Sequence, residues 1–210
     1  MDFSQLFLSF VNILTLLLAI VLGITVHEAA HAWVANKLGD PTAKLEGRIS
    51  LNPLAHLDPI GTISLLVMHM GWGKSVPYNP NNFKHPVRDA ILTALAGPAA
   101  NLLLAMILII PLKHLVSPDH IIAVILAGII EINIVLMVFN LLPIPPLDGS
   151  KLLLIIFSKD KFKDLQQYAY IPSLVFIGLI GVEAIFGIPL LSRVLGPIVS
   201  LIYISLFQIS

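Results

Sequence analysis

The chain has 210 residues, 57% of them hydrophobic and only 11% charged, with a mean hydropathy of +0.94. Globular chains carry roughly 25% charged residues, so this is the composition of a polytopic membrane protein rather than a soluble one. A net charge of zero argues against a nucleic-acid partner, and the lack of cysteine excludes disulfides, thiolate metal sites and cysteine nucleophiles together.

The expected architecture is all-α, with about five transmembrane helices, a re-entrant or interfacial segment and a short β-element, in one integral-membrane domain over residues 1–210. A spanning helix needs about 20 mostly apolar residues. The first runs from Leu6 to about Leu38 and stops at Gly39-Asp40-Pro41. Its start lacks the basic region and small-residue cleavage site of a signal peptide, so it is expected to remain as an anchor. Residues 39–88 form a loop that begins with the polar "PTAKLEGRISLNPLAHLDP". Within it "IGTISLLVMHMGWG" is apolar but too short to cross, hence the re-entrant or interfacial reading. Spans follow from about Asp89 to Leu112 and from Ile121 to Leu142. Residues 143–170 are a proline-broken segment and a polar loop. The tail, Ile171 to Phe207, is interrupted by Pro189 and Arg193 and reads as two shorter spans.

Orientation follows from the basic residues. Lys37, Lys44, Arg48, Lys74, Lys84, Arg88, Lys151, Lys159, Lys161 and Lys163 fall on one side, and only Lys113 and Arg193 on the other. Lysine and arginine collect on the cytoplasmic side, so the N-terminus is expected outside and the 39–88 and 143–170 loops inside.

The first span ends in "GITVHEAAHAW". Ionisable groups in lipid are costly unless something neutralises them. His27 and His31 are four residues apart and share one helix face, so their imidazoles can converge on one Zn²⁺ with Glu28 alongside to act on water. This is the HExxH arrangement of zinc metalloproteases. The bland alternative is a helix whose histidines bond to neighbours. Two histidines leave zinc short of a ligand, and without cysteine the third must be Asp, Glu or His. Downstream stands "NLLPIPPLDGSK". Its prolines stop a helix, and irregular backbone at membrane depth must line an enclosed or watered cavity. Asp148, at its end and on the side of His31, is the expected third ligand.

"HEAAH" followed far downstream by "NLLPIPPLDG" resembles the site-2 protease family of intramembrane zinc metalloproteases. "AGPAANLLLA" resembles a helix start common in that family, and "GRISLNPLAHLDPIGT" its short prokaryotic branch. The resemblance covers most of residues 20–155. It implies that His27, His31 and Asp148 bind one zinc, that Glu28 is catalytic, and that Asn140 helps hold the substrate backbone. No stretch reads as the PDZ-like or CBS-like domain that many members carry.

His27 lies ten residues before Lys37, about 15 Å along a helix, which puts the metal below the headgroups but near the cytoplasm. A peptide bond cut there must first unwind, and its freed backbone groups need partners. "PIPPL", with Pro143 and Pro145, is one candidate; "LEGRISL", alternating from Leu45 to Leu51, is another as a strand edge, with an ordinary surface loop as the equal alternative. The expected reaction is metal-assisted hydrolysis, with Glu28 taking a proton from water and passing it to the leaving amine. The expected partner is a membrane protein with an unwindable transmembrane helix, in a prokaryotic cell membrane.

Other polar residues carry weaker expectations. His56 and Asp58 are second-shell or gate candidates, with loop capping the more ordinary role. His69 is expected to pack at the interface, and His85, His114 and His120 to face solvent. Glu131 and Asn133 sit mid-span, where ionisable groups are functional suspects; an interhelix hydrogen bond is expected for Glu131. Glu183 and Arg193 are a candidate pair. Gly97, Pro98 and Asn101 read as helix-start and close-packing positions, with Asn101 able to face the cavity. Two rivals to a protease are a metal or ion transporter and a catalytically inactive membrane-protein binder. A transporter spreads polar groups along the whole route, whereas here they cluster at one end. An inactive relative would typically have lost Glu28 or a ligand.

Overall fold

The computed structural model describes residues 3–59, 61, 73–157, 170–187 and 189–209. Long helices dominate: α1 (Phe3–Lys37), α2 (Pro86–His114), α3 (Ile121–Asn140), α4 (Tyr170–Phe186) and α5 (Leu190–Ile209). No sheet occurs among the described residues, so the chain is an all-α polytopic membrane protein. Among the described residues, three helices are long and apolar enough to cross a membrane: Gln5–Lys37, Pro86–His114 and Ile121–Asn140. The tail forms α4 and α5 on either side of Gly187, as two shorter apolar elements. The apolar segment expected to be re-entrant, with His69, and the polar stretch from residue 158 to 169 lie outside the described residues.

Helices α1, α2 and α3 pack on one another, and α5 lies against α3. The apolar core sits between α2, α3 and α5, built on Ala105, Ile109, Ile130, Ile134 and Val199. Leu6, Phe7, Phe10 and Ile13 on the first turns of α1 face outward, as expected where the solvent is hydrocarbon. Small residues let the helices close up. A Cβ on Gly23 would meet Leu136 Cδ1 at 2.5 Å, and one on Gly128 would meet Thr15 Cγ2 at 2.6 Å, so α1 and α3 touch at backbone distance.

Two segments connect these helices at the end where α1 stops. Asp40, fully buried, accepts hydrogen bonds from Thr42 N (3.1 Å), Thr42 Oγ1 (2.5 Å), Asn79 N (2.7 Å) and Asn82 Nδ2 (2.7 Å). It thereby ties the end of α1 to a strap, residues 73–79, that leads into α2. The other end of the strap is fastened by an isolated antiparallel bridge between Leu57 and Gly73, by Lys74 N donating to His56 O (2.7 Å), and by Arg48 donating to Lys74 O. The strand expected over Leu45–Leu51 does not form. Leu45 closes a helical turn from Thr42, and Gly47 at φ 70° turns the chain through the left-handed region, which breaks an extended register.

Candidate metal centre

The site is built by three elements meeting. Helix α1 supplies His27 and His31, one turn apart, each 7% exposed. A 3₁₀ turn, Asp148–Leu152, supplies Asp148 from the segment after α3. Gly149 lets that turn close on α3: a Cβ there would fall under 3.0 Å from the carbonyl atoms of Leu141 and Leu142. One ligand atom from each of His27, His31 and Asp148 lies within 4.8 Å of the others. Asp148 Oδ2 is 2.9 Å from His27 Nε2 and 3.2 Å from His31 Nε2.

Which protons these rings carry can be read from the far side. Asn133 Nδ2 donates to Ile129 O (2.8 Å), so Asn133 Oδ1 is free to accept, and Asn101 Nδ2 donates to it (2.8 Å) and to Gly23 O (3.0 Å). With its amide nitrogen spent, Asn101 offers Oδ1 as an acceptor, 2.6 Å from His27 Nδ1. His27 Nδ1 must therefore donate. His31 Nδ1 likewise donates to Thr93 O (2.7 Å). A neutral imidazole has one donor and one acceptor nitrogen, so both Nε2 atoms present lone pairs toward the Asp148 carboxylate. Acceptors converging on one point suit a cation, and fixing the ligand tautomer through the other ring nitrogen is how metal-binding histidines are usually held. The donor set, two imidazoles and a carboxylate, is that of catalytic zinc sites.

Helix α2 leaves the space. A Cβ on Gly97 would fall under 3.0 Å from Nε2 of both histidines. Pro98 has no N–H for the Ala94 carbonyl, and Ala94 lines the cavity beside the histidines. That cavity, about 250 Å³, is also lined by Glu28, Asn140, Asp148 and Lys151, and on the strap side by Ser75, Val76 and Tyr78. Val76 N donates to Glu28 Oε2 at 3.1 Å, which holds the carboxylate beside the ligands but not among them. Burial, with the Asp148 carboxylate near, pushes the Tyr78 phenol above its ordinary value. Burial pulls Lys151 down, with Asp148 opposing.

The other expected residues are placed as follows. Asn140 lines the cavity while its Nδ2 donates to Leu136 O (2.9 Å). Of the prolines, Pro146 lines the cavity; Pro143 and Pro145 are not among its lining residues. His56 is fully buried and gives Nε2 to Ser50 O (2.7 Å), and Asp58 accepts from Gly61 N (2.7 Å), so both brace the loop. Asn101, fully buried, contacts His27 as above. Glu131 is exposed on α3, and the interhelix bond expected of it is made by Asn133 instead, whose side chain turns inward to Asn101. His120 caps α3, accepting from Ile122 N (3.2 Å). Val76, Thr93, Tyr78 and Lys151 were not singled out by the sequence. Val76 and Thr93 contribute backbone atoms, which leave no mark in it.

Comparison with known proteins gives the family of the chain. The family model described as Peptidase family M50 matches residues 116–180, which include Asp148 but not the first-span histidines. The Bacillus subtilis protein named "Putative zinc metalloprotease YwhC" is 38% identical over 197 residues, 88% of this chain and 85% of that protein. The chain belongs to peptidase family M50. "Putative zinc metalloprotease Rip2" of Mycolicibacterium smegmatis is 33% identical over 151 residues, covering 68% of this chain and 57% of its own. The Rip2 of Mycobacterium tuberculosis H37Rv is 32% identical over 137 residues, or 61% and 52% of the two chains. No solved structure gives a significant match. This M50 member is thus a zinc-dependent protease of the site-2 protease type.

Proposed function

We propose that this M50 protease hydrolyses a peptide bond within or near a transmembrane segment of a membrane-protein substrate. One zinc ion per chain would be held by His27 Nε2, His31 Nε2 and Asp148. The observation that carries the reading is the directed hydrogen-bond relay from Ile129 through Asn133 and Asn101 to His27, which leaves Nε2 a lone pair.

When bound, zinc supplies Lewis acidity: it polarises the scissile carbonyl and lowers the pKa of a water to about 7. Glu28 accepts a proton from the attacking water and later gives it to the leaving nitrogen. The Val76 amide keeps Glu28 oriented for both transfers. The substrate enters as an unwound segment, because a helix hides its carbonyls in its own hydrogen bonds. Asn140 can exchange its bond to Leu136 O for one to the substrate backbone. The ten-to-two bias of basic residues supports an N-terminus outside and a site opening to the cytoplasm, and the bacterial relatives support a prokaryotic cell membrane.

Co-expression of wild type and Glu28→Gln with candidate single-span proteins tests the reading. Fragments cut inside the span are expected with wild type alone, while the purified Glu28→Gln protein keeps its zinc. Equal cleavage by both forms would remove Glu28 from the mechanism.

A further inference from the structure

Thr15 meets Gly128 and, eight residues on, Gly23 meets Leu136, so α1 and α3 run the same way, both toward the metal site. A second cavity, of about 260 Å³, lies one turn back along both helices, at Ile24 of α1 and Leu136 of α3. That is the side of the span's middle. The cavity shares Glu28, Ser75 and Asn140 with the metal cavity, so the two meet at the Glu28 carboxylate. Among the described lining residues, those it does not share are Ile24, Gly73, Leu136 and Phe139, and none has an ionisable or hydrogen-bonding side chain. The strap rests on α1 there: a Cβ on Gly73 would meet Ile24 Cγ2 at 2.9 Å and stand 3.8 Å from Glu28 Oε1. The apolar wall thus begins beside the carboxylate.

Resting on the protease reading above, we propose that this cavity is a specificity pocket for one aliphatic side chain of the substrate. The side chain belongs to the residue flanking the scissile bond toward the bilayer core, and Ile24 and Leu136 set the size it must have. A peptide bond held at Glu28 has a neighbour on each side, and the two cavities receive them. A charged side chain finds no partner on the apolar wall and is costly to bury. A transmembrane substrate is already out of water, so packing rather than hydrophobicity decides which aliphatic side chain fits.

The test uses the full-length, zinc-loaded protein in lipid and a single-span protein that it cuts, with the cut placed by mass spectrometry. Ala, Leu, Phe and Asp are set in turn at the residue flanking the cut toward the bilayer core. Pairs compete in one reaction, so the ratio of their kcat/KM values does not depend on how much enzyme is folded. Wild type is expected to favour Leu over Ala at least about tenfold, the lower end for a filled apolar pocket, and to leave Asp uncut. Ile24→Ala should raise the Phe-to-Leu ratio at least about tenfold by enlarging the pocket. Preference at the residue on the other side of the cut should not change. Leu136→Ala should act in the same direction and serves if Ile24→Ala fails to fold. Equal cutting of the Ala and Leu forms by wild type, or preference for Ala, overturns the pocket. So does a Phe-to-Leu ratio that the folded variant leaves unmoved, or one that moves equally on both sides of the cut. If no single-span protein is cut, the protease reading fails first; cutting without side-chain preference sinks only the pocket.

Discussion

Asn101 Oδ1 stands 2.6 Å from His27 Nδ1, although 74 positions separate the two residues. The same side chain gives its nitrogen to Gly23 O and Asn133 Oδ1 and is fully buried, so it cannot rotate without losing three bonds. Asn101→Leu keeps the volume and removes the acceptor. Outer partners of metal-bound histidines are typically worth 10–100-fold in affinity, and a loss of that size is expected in chelator competition against purified protein. Unchanged zinc affinity would mean that His27 does not depend on this relay.

Gly97 faces both metal-binding rings. Alanine would be favoured there by about 1 kcal/mol of helix propensity, but its methyl would fall under 3.0 Å from Nε2 of His27 and of His31, two buried rings held from behind by Asn101 and Thr93. Overpacking of this kind costs about 1–3 kcal/mol. Gly97→Ala is therefore expected to lower the melting temperature of the metal-free form and, because the rings must move to admit the methyl, to reduce zinc affinity at least about tenfold. Gly181→Ala is the control, since nothing lies within 4 Å of a Cβ there.

The strap depends on Asp40. Burial alone would raise this carboxyl, but four donated hydrogen bonds outweigh it and hold the group below the usual carboxylate range. With the folded pKa below the unfolded value of about 3.9, the stabilisation is fully present above that pH and is lost as pH falls through the folded value. Orphaning buried donors costs about 1–3 kcal/mol. Asp40→Ala should therefore speed amide exchange of residues 79–83 about tenfold or more at pH 7. The gap to wild type should close only as the pH drops below about 4.

Much of this was readable in advance where local period fixes geometry. Spacing of four on an apolar helix puts His27 and His31 on one face whatever they pack against, and the stop at Gly39-Asp40-Pro41 is local chain chemistry. Proline density after Asn140 likewise announces an irregular segment at a helix end. What the sequence hides is long-range pairing. Val76 meets Glu28 through its amide, and Thr93 meets His31 through its carbonyl, contacts any residue type could make. Lys151 looked like one more loop lysine until the fold put it on the wall of the metal cavity. Leu45–Leu51 alternates as a strand should, yet a positive φ at Gly47 turns it aside. Glu131 drew attention by its charge, but the inward-facing residue two positions on, Asn133, holds the relay.

The measurement that bears most directly on the whole account is zinc content by mass spectrometry on purified wild type and Asp148→Ala, with X-ray absorption at the zinc edge. Near one zinc per chain is expected in the wild type, with two imidazole nitrogens and light oxygen ligands. Asp148→Ala should lose most of it, since a site reduced to two protein ligands falls short of the usual three. A full zinc complement with an unchanged absorption spectrum after Asp148→Ala would contradict the shared site between the first span and the segment that follows the third.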